Sequence, residues 1–252
     1  MDKLLTGKGI VKTFGEAEEK VTVLNGVDIA IYKGEFVSIM GASGSGKSTL
    51  MYALSGMDTI DAGAVDFKGQ QLNEKQEEEL AQLRRTQMGF IFQQPTLLKN
   101  LSILDNIVLP LMKDKHGKSN EGMEKAQRLM EKVGIEDLAD RRITQVSGGQ
   151  LQRAGICRAL IGQPDILFGD EPTGALNSKA AQEIMNILIR INHEGTTVLL
   201  VTHDVKVAAQ SERVLFMEDG SITAELFLGK YGERNLEDRM EQVNAKMLET
   251  EV

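Results

Sequence analysis

Cysteine occurs once in the 252 residues, at Cys157, tryptophan is absent, and aromatic residues make up only 4% of the chain. A disulfide framework is therefore excluded, and so is a cysteine-rich zinc site. So few aromatic side chains supply no platform for a run of stacked bases. Positive charge is also short: 29 Lys+Arg stand against 37 Asp+Glu, a net −8 at pH 7. That balance argues against a general nucleic-acid binder, because phosphate backbones reward an excess of cations. No apolar run approaches the roughly 18 residues of a membrane span, and residues 1–20 lack the apolar stretch of a signal peptide. The expectation is a chain that stays in the cytosol and is not by itself a channel. What is present, 41% apolar and 26% charged residues, is the composition of a globular protein with a sizeable core.

Short segments rich in Val and Ile at 21–31, 35–40 and 63–68 predict strands. A helix is expected from about 74 to 85, capped by Asn73, with acids in its first turns and Arg84 and Arg85 in its last. From 99 to 162 the pattern turns helical, with Met123, Ala126, Met130 and Val133 at three- and four-residue spacing. Beyond it, strands at 166–168 and 197–201 alternate with helices at 178–193 and 204–211. Such alternation signals βαβ units around a parallel sheet. Asp219-Gly220 suits a two-residue hairpin turn within 214–227. In the tail, Leu236, Met240, Val243 and Met247 line one face of an amphipathic helix, with mostly charged positions between them. That face docks either on its own domain or on a partner helix.

Residues 41–49, GASGSGKST, lie between the apolar strand 35–40 and a helix-compatible segment. The pattern G-x-x-x-x-G-K-[ST] in that setting is a phosphate cradle. Backbone N–H groups of Gly41, Ala42, Ser43, Gly44, Ser45 and Gly46 converge on phosphate oxygens, aided by the helix N-terminus. Lys47 neutralises the β- and γ-phosphates, and Ser48, followed by Thr49, offers a hydroxyl to Mg²⁺. A second apolar strand, ILFGDE at 166–171, ends in two carboxylates. Asp170 suits the metal and Glu171 suits a general base that polarises water.

Residues 146–153, VSGGQLQR, resemble the signature motif of the ATP-binding cassette (ABC) ATPases. Other motifs then fall in that family's order, over roughly residues 4–227. GASGSGKST resembles Walker A, ILFGDE resembles Walker B, Gln93 in GFIFQQ matches the Q-loop, and His203 in VTHD matches the switch histidine. Phe14 lies 27 residues before Gly41, where the family has an aromatic that stacks on adenine. The resemblance implies an α/β P-loop NTPase fold with a parallel core sheet, an N-terminal antiparallel β subdomain and an inserted α-helical subdomain at about 94–162. The ATPase domain would span 1–228, and 229–252 would add the tail helix. ATP and Mg²⁺ are the implied ligands, the metal held by Ser48, Gln93 and Asp170. Catalysis would rest on Glu171, His203 and Gln93. Ser147, Gly148, Gly149 and Gln150 would serve the nucleotide of a second copy in a head-to-tail ATP sandwich, which the family's two-fold symmetry allows.

Two positions depart from the family pattern. Val146 replaces a leucine. Asn177 stands where an aspartate normally reaches across the dimer, so a polar contact survives without its charge. Cys157, in the signature helix, reads as a small packing residue, and His116 and His193 match no motif and read as surface residues. The stretch 92–112 and EPTGALNS at 171–178 resemble the branch of macrolide exporters, lipoprotein-release ATPases and bacitracin-type peptide-resistance transporters. This implies a transmembrane permease contacted near residues 93–112, a place on the inner face of the cell membrane, and no nucleic-acid partner. A division-type ATPase that signals to wall hydrolases would share every catalytic residue, and remains the alternative to peptide resistance.

Overall fold

The computed structural model describes residues 2–15, 20–113, 120–232 and 235–250. The chain begins with β1 (Lys3–Phe14), β2 (Val21–Tyr32), β3 (Phe36–Met40), α1 (Lys47–Leu54), β4 (Ala62–Phe67), β5 (Gln70–Gln71) and α2 (Glu77–Gln87). Next come β6 (Met88–Phe92), α3 (Ile103–Val108), α4 (Asn120–Val133), α5 (Gly148–Leu160), β7 (Ile166–Asp170) and α6 (Ser178–His193). The last elements are β8 (Thr197–Thr202), α7 (Val205–Ala208), β9 (Arg213–Glu218), β10 (Ser221–Phe227) and α8 (Leu236–Glu249). They form two compact units, residues 1–82 with 192–252, and residues 83–191. Among the described residues, no helix is long and apolar enough to cross a membrane. His116 lies outside the described residues, while His193 is exposed at the end of α6.

The first unit holds an antiparallel sheet in the order β2-β1-β4-β5 and, in a second sheet, the run β10-β9-β3-β8. β3 lies between β8 and β9 and is parallel to both. Every residue of β3 and of β8 is buried, which is why FVSIM and TVLLVT are continuous rather than alternating apolar runs. β9 turns into β10 through Asp219 and Gly220, at φ 43° and 77°, the left-handed pair that a tight hairpin needs.

The second unit pairs β6 with β7 in parallel and carries the helices α3, α4 and α5. Ser102 caps α3 through a reciprocal box with Asp105. In α4 the residues Ala126, Met130 and Val133 are buried as their spacing predicts, and Met123 is half-buried.

One expected cap is corrected. Asn73 does not open α2; its Oδ1 accepts the Val65 N–H at 3.1 Å and ties off β4. Leu72–Glu74 forms a single 3-10 turn, after which Lys75 is extended at φ −87° and ψ 150°. That extended residue interrupts the helix, so α2 begins only at Glu77. Gln76 N–H donates to the Glu79 carboxylate at 3.1 Å, and Arg84 and Arg85 occupy the last turn.

The tail helix docks on its own unit. Val243 is fully buried against Met40, Ala208, Ala209, Val214, Phe216 and Leu228, with Leu236, Met240 and Met247 packed around it. Arg239, one of the charged positions between those apolar residues, is fully buried as well. Its Nε donates to Ala209 O at 2.6 Å, Nη1 to Leu228 O at 3.0 Å, and Nη2 to Ser211 O and Gly229 O at 2.6 and 3.0 Å. The planar guanidinium thus meets the carbonyls at the end of α7 and after β10, and burial of its charge is offset by charge-assisted hydrogen bonds. Arg239→Met is expected to lower stability by about 3 kcal/mol, because four buried carbonyls lose their donor. Urea unfolding followed by circular dichroism checks this, and an unchanged midpoint contradicts it.

Candidate nucleotide-binding and catalytic residues

In the first unit, the loop 41–46 links β3 to α1 and curls tightly against β9 and β2. A Cβ on Gly41 would overlap the Met217 carbonyl, so no other residue fits there. Gly46, the cap of α1, sits at φ 99°, and a Cβ on it would stand 2.7 Å from Val23 O. Gly46 carries no side chain that could cap α1, and a helix N-terminus of this kind favours an anion. Lys47 is buried, and its Nζ turns back across the loop to Ala42 O at 2.6 Å and Ser45 Oγ at 3.5 Å. Its charge therefore sits inside the curl of the cradle. Ser48 and Thr49 follow in the first turn of α1, half-buried.

Phe14 ends β1 opposite Val21 of β2 and is 46% exposed. It is not a core residue; its ring is half exposed at the end of β1. Asp61 braces the residue before it, accepting from Thr13 N–H and from Thr13 Oγ1, each at 2.6 Å. Those two donors, the hydroxyl first, hold the Asp61 carboxyl below its ordinary range. His203 is exposed between β8 and α7. The cap of α7 is Asp204, which accepts from Lys206 N–H at 2.7 Å and Val207 N–H at 3.4 Å, so His203 is not spent as a cap. α7 is also shorter than the expected 204–211.

In the second unit, β6 and β7 pair Phe92 with Asp170, which sets Gln93 and Glu171 side by side at the strand ends. A Cβ on Gly174 would stand 2.8 Å from Gln93 Nε2 and 3.2 Å from Glu171 Oε2. Both side chains thus crowd over Gly174. Glu171 has φ 44°, a left-handed backbone that a residue of its kind adopts only when its surroundings hold it there. The turn is closed by Gly174 N–H donating to Glu171 O at 3.0 Å. Gln152 was not singled out by the sequence. It is buried in α5, and its Nε2 donates to Phe92 O at 2.9 Å, holding the strand end immediately before Gln93. Only its place within the 146–153 stretch could have signalled it.

Ser147 caps α5 in a reciprocal box: Ser147 N–H donates to Gln150 Oε1 at 2.8 Å, and Gln150 N–H to Ser147 Oγ at 3.4 Å. The Gln150 side chain is thereby engaged in the cap. Asn177 caps α6, its Oδ1 accepting from Ala180 N–H at 2.9 Å. Ser147, Gly148, Gly149, Gln150 and Asn177 line one cavity of about 410 Å³. Cys157 is buried in α5, and burial pushes its thiol up to about 12. It is a packing residue, not a nucleophile.

The pattern of the family described as ABC transporter matches residues 24–174. A bacitracin export ATP-binding protein of Halalkalibacterium halodurans is 42% identical over 227 residues, covering 90% of this chain and 89% of that protein. A macrolide export ATP-binding/permease protein of Pasteurella multocida is 41% identical over 222 residues, but the match covers 88% of this chain and only 34% of that protein. The chain thus spans about a third of the length of such macrolide relatives. Among solved structures, a dimeric ATP-binding cassette in a post-hydrolysis state with ADP and Pi superposes with a TM-score of 0.83 at 38% identity, covering 90% of this chain and 100% of that one. A nucleotide-free cassette from an ABC transporter gives 0.81 at 28% identity over 99% of both chains. Motifs, fold and these matches agree that the chain belongs to the ABC transporter family, as an ATP-hydrolysing cassette.

Proposed function

We propose that the chain powers a bacitracin-type antimicrobial-peptide resistance transporter, working beneath a transmembrane permease on the inner face of the cell membrane. The observation that carries this reading is the bacitracin export relative, alike over nine-tenths of both chains. The permease contact is assigned to residues 93–112. There Leu97, Ile103 and Ile107 are buried, while Leu98, Leu109 and Met112 are exposed and apolar.

Within the cassette, the loop 41–46 and Lys47 hold the β- and γ-phosphates, and Phe14 stacks on adenine. Ser48, Gln93 and Asp170 would hold Mg²⁺; hydroxyl, amide and carboxylate oxygens are the hard donors that this ion prefers. When bound, the ion would supply positive charge that offsets the negative charge of the phosphates. Glu171 takes the proton of the attacking water as its oxygen bonds to the γ-phosphorus and the bond to the ADP oxygen breaks. Gln93, which crowds over Gly174 together with Glu171, senses the γ-phosphate, while His203 donates to a γ-phosphate oxygen and orients that water. Ser147, Gly148 and Gly149 at the start of α5 serve the nucleotide of a second copy, with Asn177 beside them. The dimeric cassette of similar fold supports that pairing.

Lys47→Ala is expected to weaken ATP binding about 100-fold, the loss of a charge-assisted bond to phosphate; titration calorimetry measures it, and unchanged affinity contradicts the assignment. Glu171→Gln should lower kcat about 10³-fold, as loss of a general base does, while ATP affinity is kept. With ATP it should accumulate as a dimer in light scattering; a variant that stays monomeric argues against the sandwich. In the native cell, Glu171→Gln is expected to lower the minimum inhibitory concentration of bacitracin-type peptides. Unchanged susceptibility with filamentous growth would instead assign the chain to division signalling.

A further inference from the structure

We propose that Lys12 is a positioning residue for the adenine of ATP: its ammonium occupies one face of the Phe14 ring and leaves the other face to the base. The inference rests on the reading of Phe14 as the adenine platform. Lysine is seldom buried unless its charge is satisfied, yet Lys12 is buried, one of the few charged side chains in the core. Its Nζ pairs with Asp58 Oδ1 at 2.8 Å and donates to Thr59 O at 2.7 Å and Thr59 Oγ1 at 3.2 Å. The same Nζ stands 5.1 Å from the centroid of the Phe14 ring, within the range of a cation–π contact.

This geometry does more than brace a turn. An exposed phenylalanine at a strand end is free to exchange rotamers, and a ligand must pay to order it. A cation held by three oxygen acceptors cannot follow the ring, so it favours the rotamer that keeps the ring over it. The acceptors belong to the segment after α1, the helix that rises from the phosphate loop, and Thr13 is bound to Asp61 in that same segment. Phe14 also faces Val21, two positions along β2 from Val23, whose carbonyl lies against Gly46. Two strand positions span roughly 7 Å, so ring and phosphate loop are held on one short stretch of β2. Lys12 thereby fixes the ring relative to the site where the phosphates bind.

The test is titration calorimetry on the full chain with ADP and with inorganic pyrophosphate, alongside steady-state ATPase assays. Lys12→Met should weaken ADP about 10-fold, the scale of a partly desolvated cation–π contact, and leave pyrophosphate unchanged. It should raise KM for ATP with kcat retained, and Lys12→Arg should restore most of the affinity. Phe14→Ala should weaken ADP as well, and adding Lys12→Met to it should cost nothing further. Should Lys12→Met not fold, Lys12→Gln removes the charge while keeping a donor for Thr59, with the same expectation. If Phe14→Ala leaves ADP affinity intact, the platform reading itself fails. If Phe14→Ala weakens ADP but loss of the Lys12 charge does not, or if it weakens pyrophosphate equally, the positioning role is overturned and Lys12 is only a strut.

Discussion

The close approach of the 41–46 loop to neighbouring backbone is the constraint on which the proposed phosphate site depends. Gly41 lies against the carbonyl of Met217 and Gly46 against that of Val23, so the loop touches β9 on one side and β2 on the other. Those contacts require β3 and β9 to run parallel in the register that sets Met40 beside Phe216. They also require β2 to arrive at the right height, which its pairing with β1 provides. Burial of the whole of β3 and β8 makes that register costly to slip. The glycine loop is therefore held by apolar packing, with one buried cation, Lys47, turned back across it.

In the second unit the equivalent role falls to strand ends and helix caps. The β6–β7 register delivers Gln93 and Glu171 to one place, and Gln152 holds the last carbonyl of β6. The left-handed Glu171 is tolerated because the Gly174 turn closes over it. Ser147 and Asn177 both act as caps, so two helix N-termini open on the same cavity. The Ser147 hydroxyl and the Asn177 amide each accept one first-turn N–H, and the two helix dipoles add partial positive charge for an anion.

Buried cations recur in the first unit. Lys47, Lys12, Arg213 and Arg239 are all nearly inaccessible, and each is met by oxygen acceptors. Arg213 pairs with Glu35 and Glu225 and also donates to Ala30 O at 2.6 Å. Arg239 relies on carbonyls at the end of α7 and after β10. In a chain of net −8, a notable part of the positive charge thus ties elements together instead of decorating the surface.

The glycine loop at 41–46 and the hairpin at Asp219-Gly220 are legible from the residues, because each depends on local backbone conformation that only certain residue types adopt, whereas the carboxylates at 170–171 and the 146–153 stretch gain meaning only from the family resemblance. Helix 178–193 was legible for a similar reason, its apolar period being long and uninterrupted. The cap of α2 was misread because Asn73 found a better partner in the Val65 N–H, a choice made by the return of the chain at β4. Arg239 and Lys12 are not singled out by the sequence pattern. Their burial depends on carbonyls and carboxylates supplied from segments 10 to 47 residues away in the chain. Local sequence therefore determined which segments form the glycine loop and which turn. Only the tertiary structure decided where charge could be buried, because that depends on acceptors that distant segments bring together.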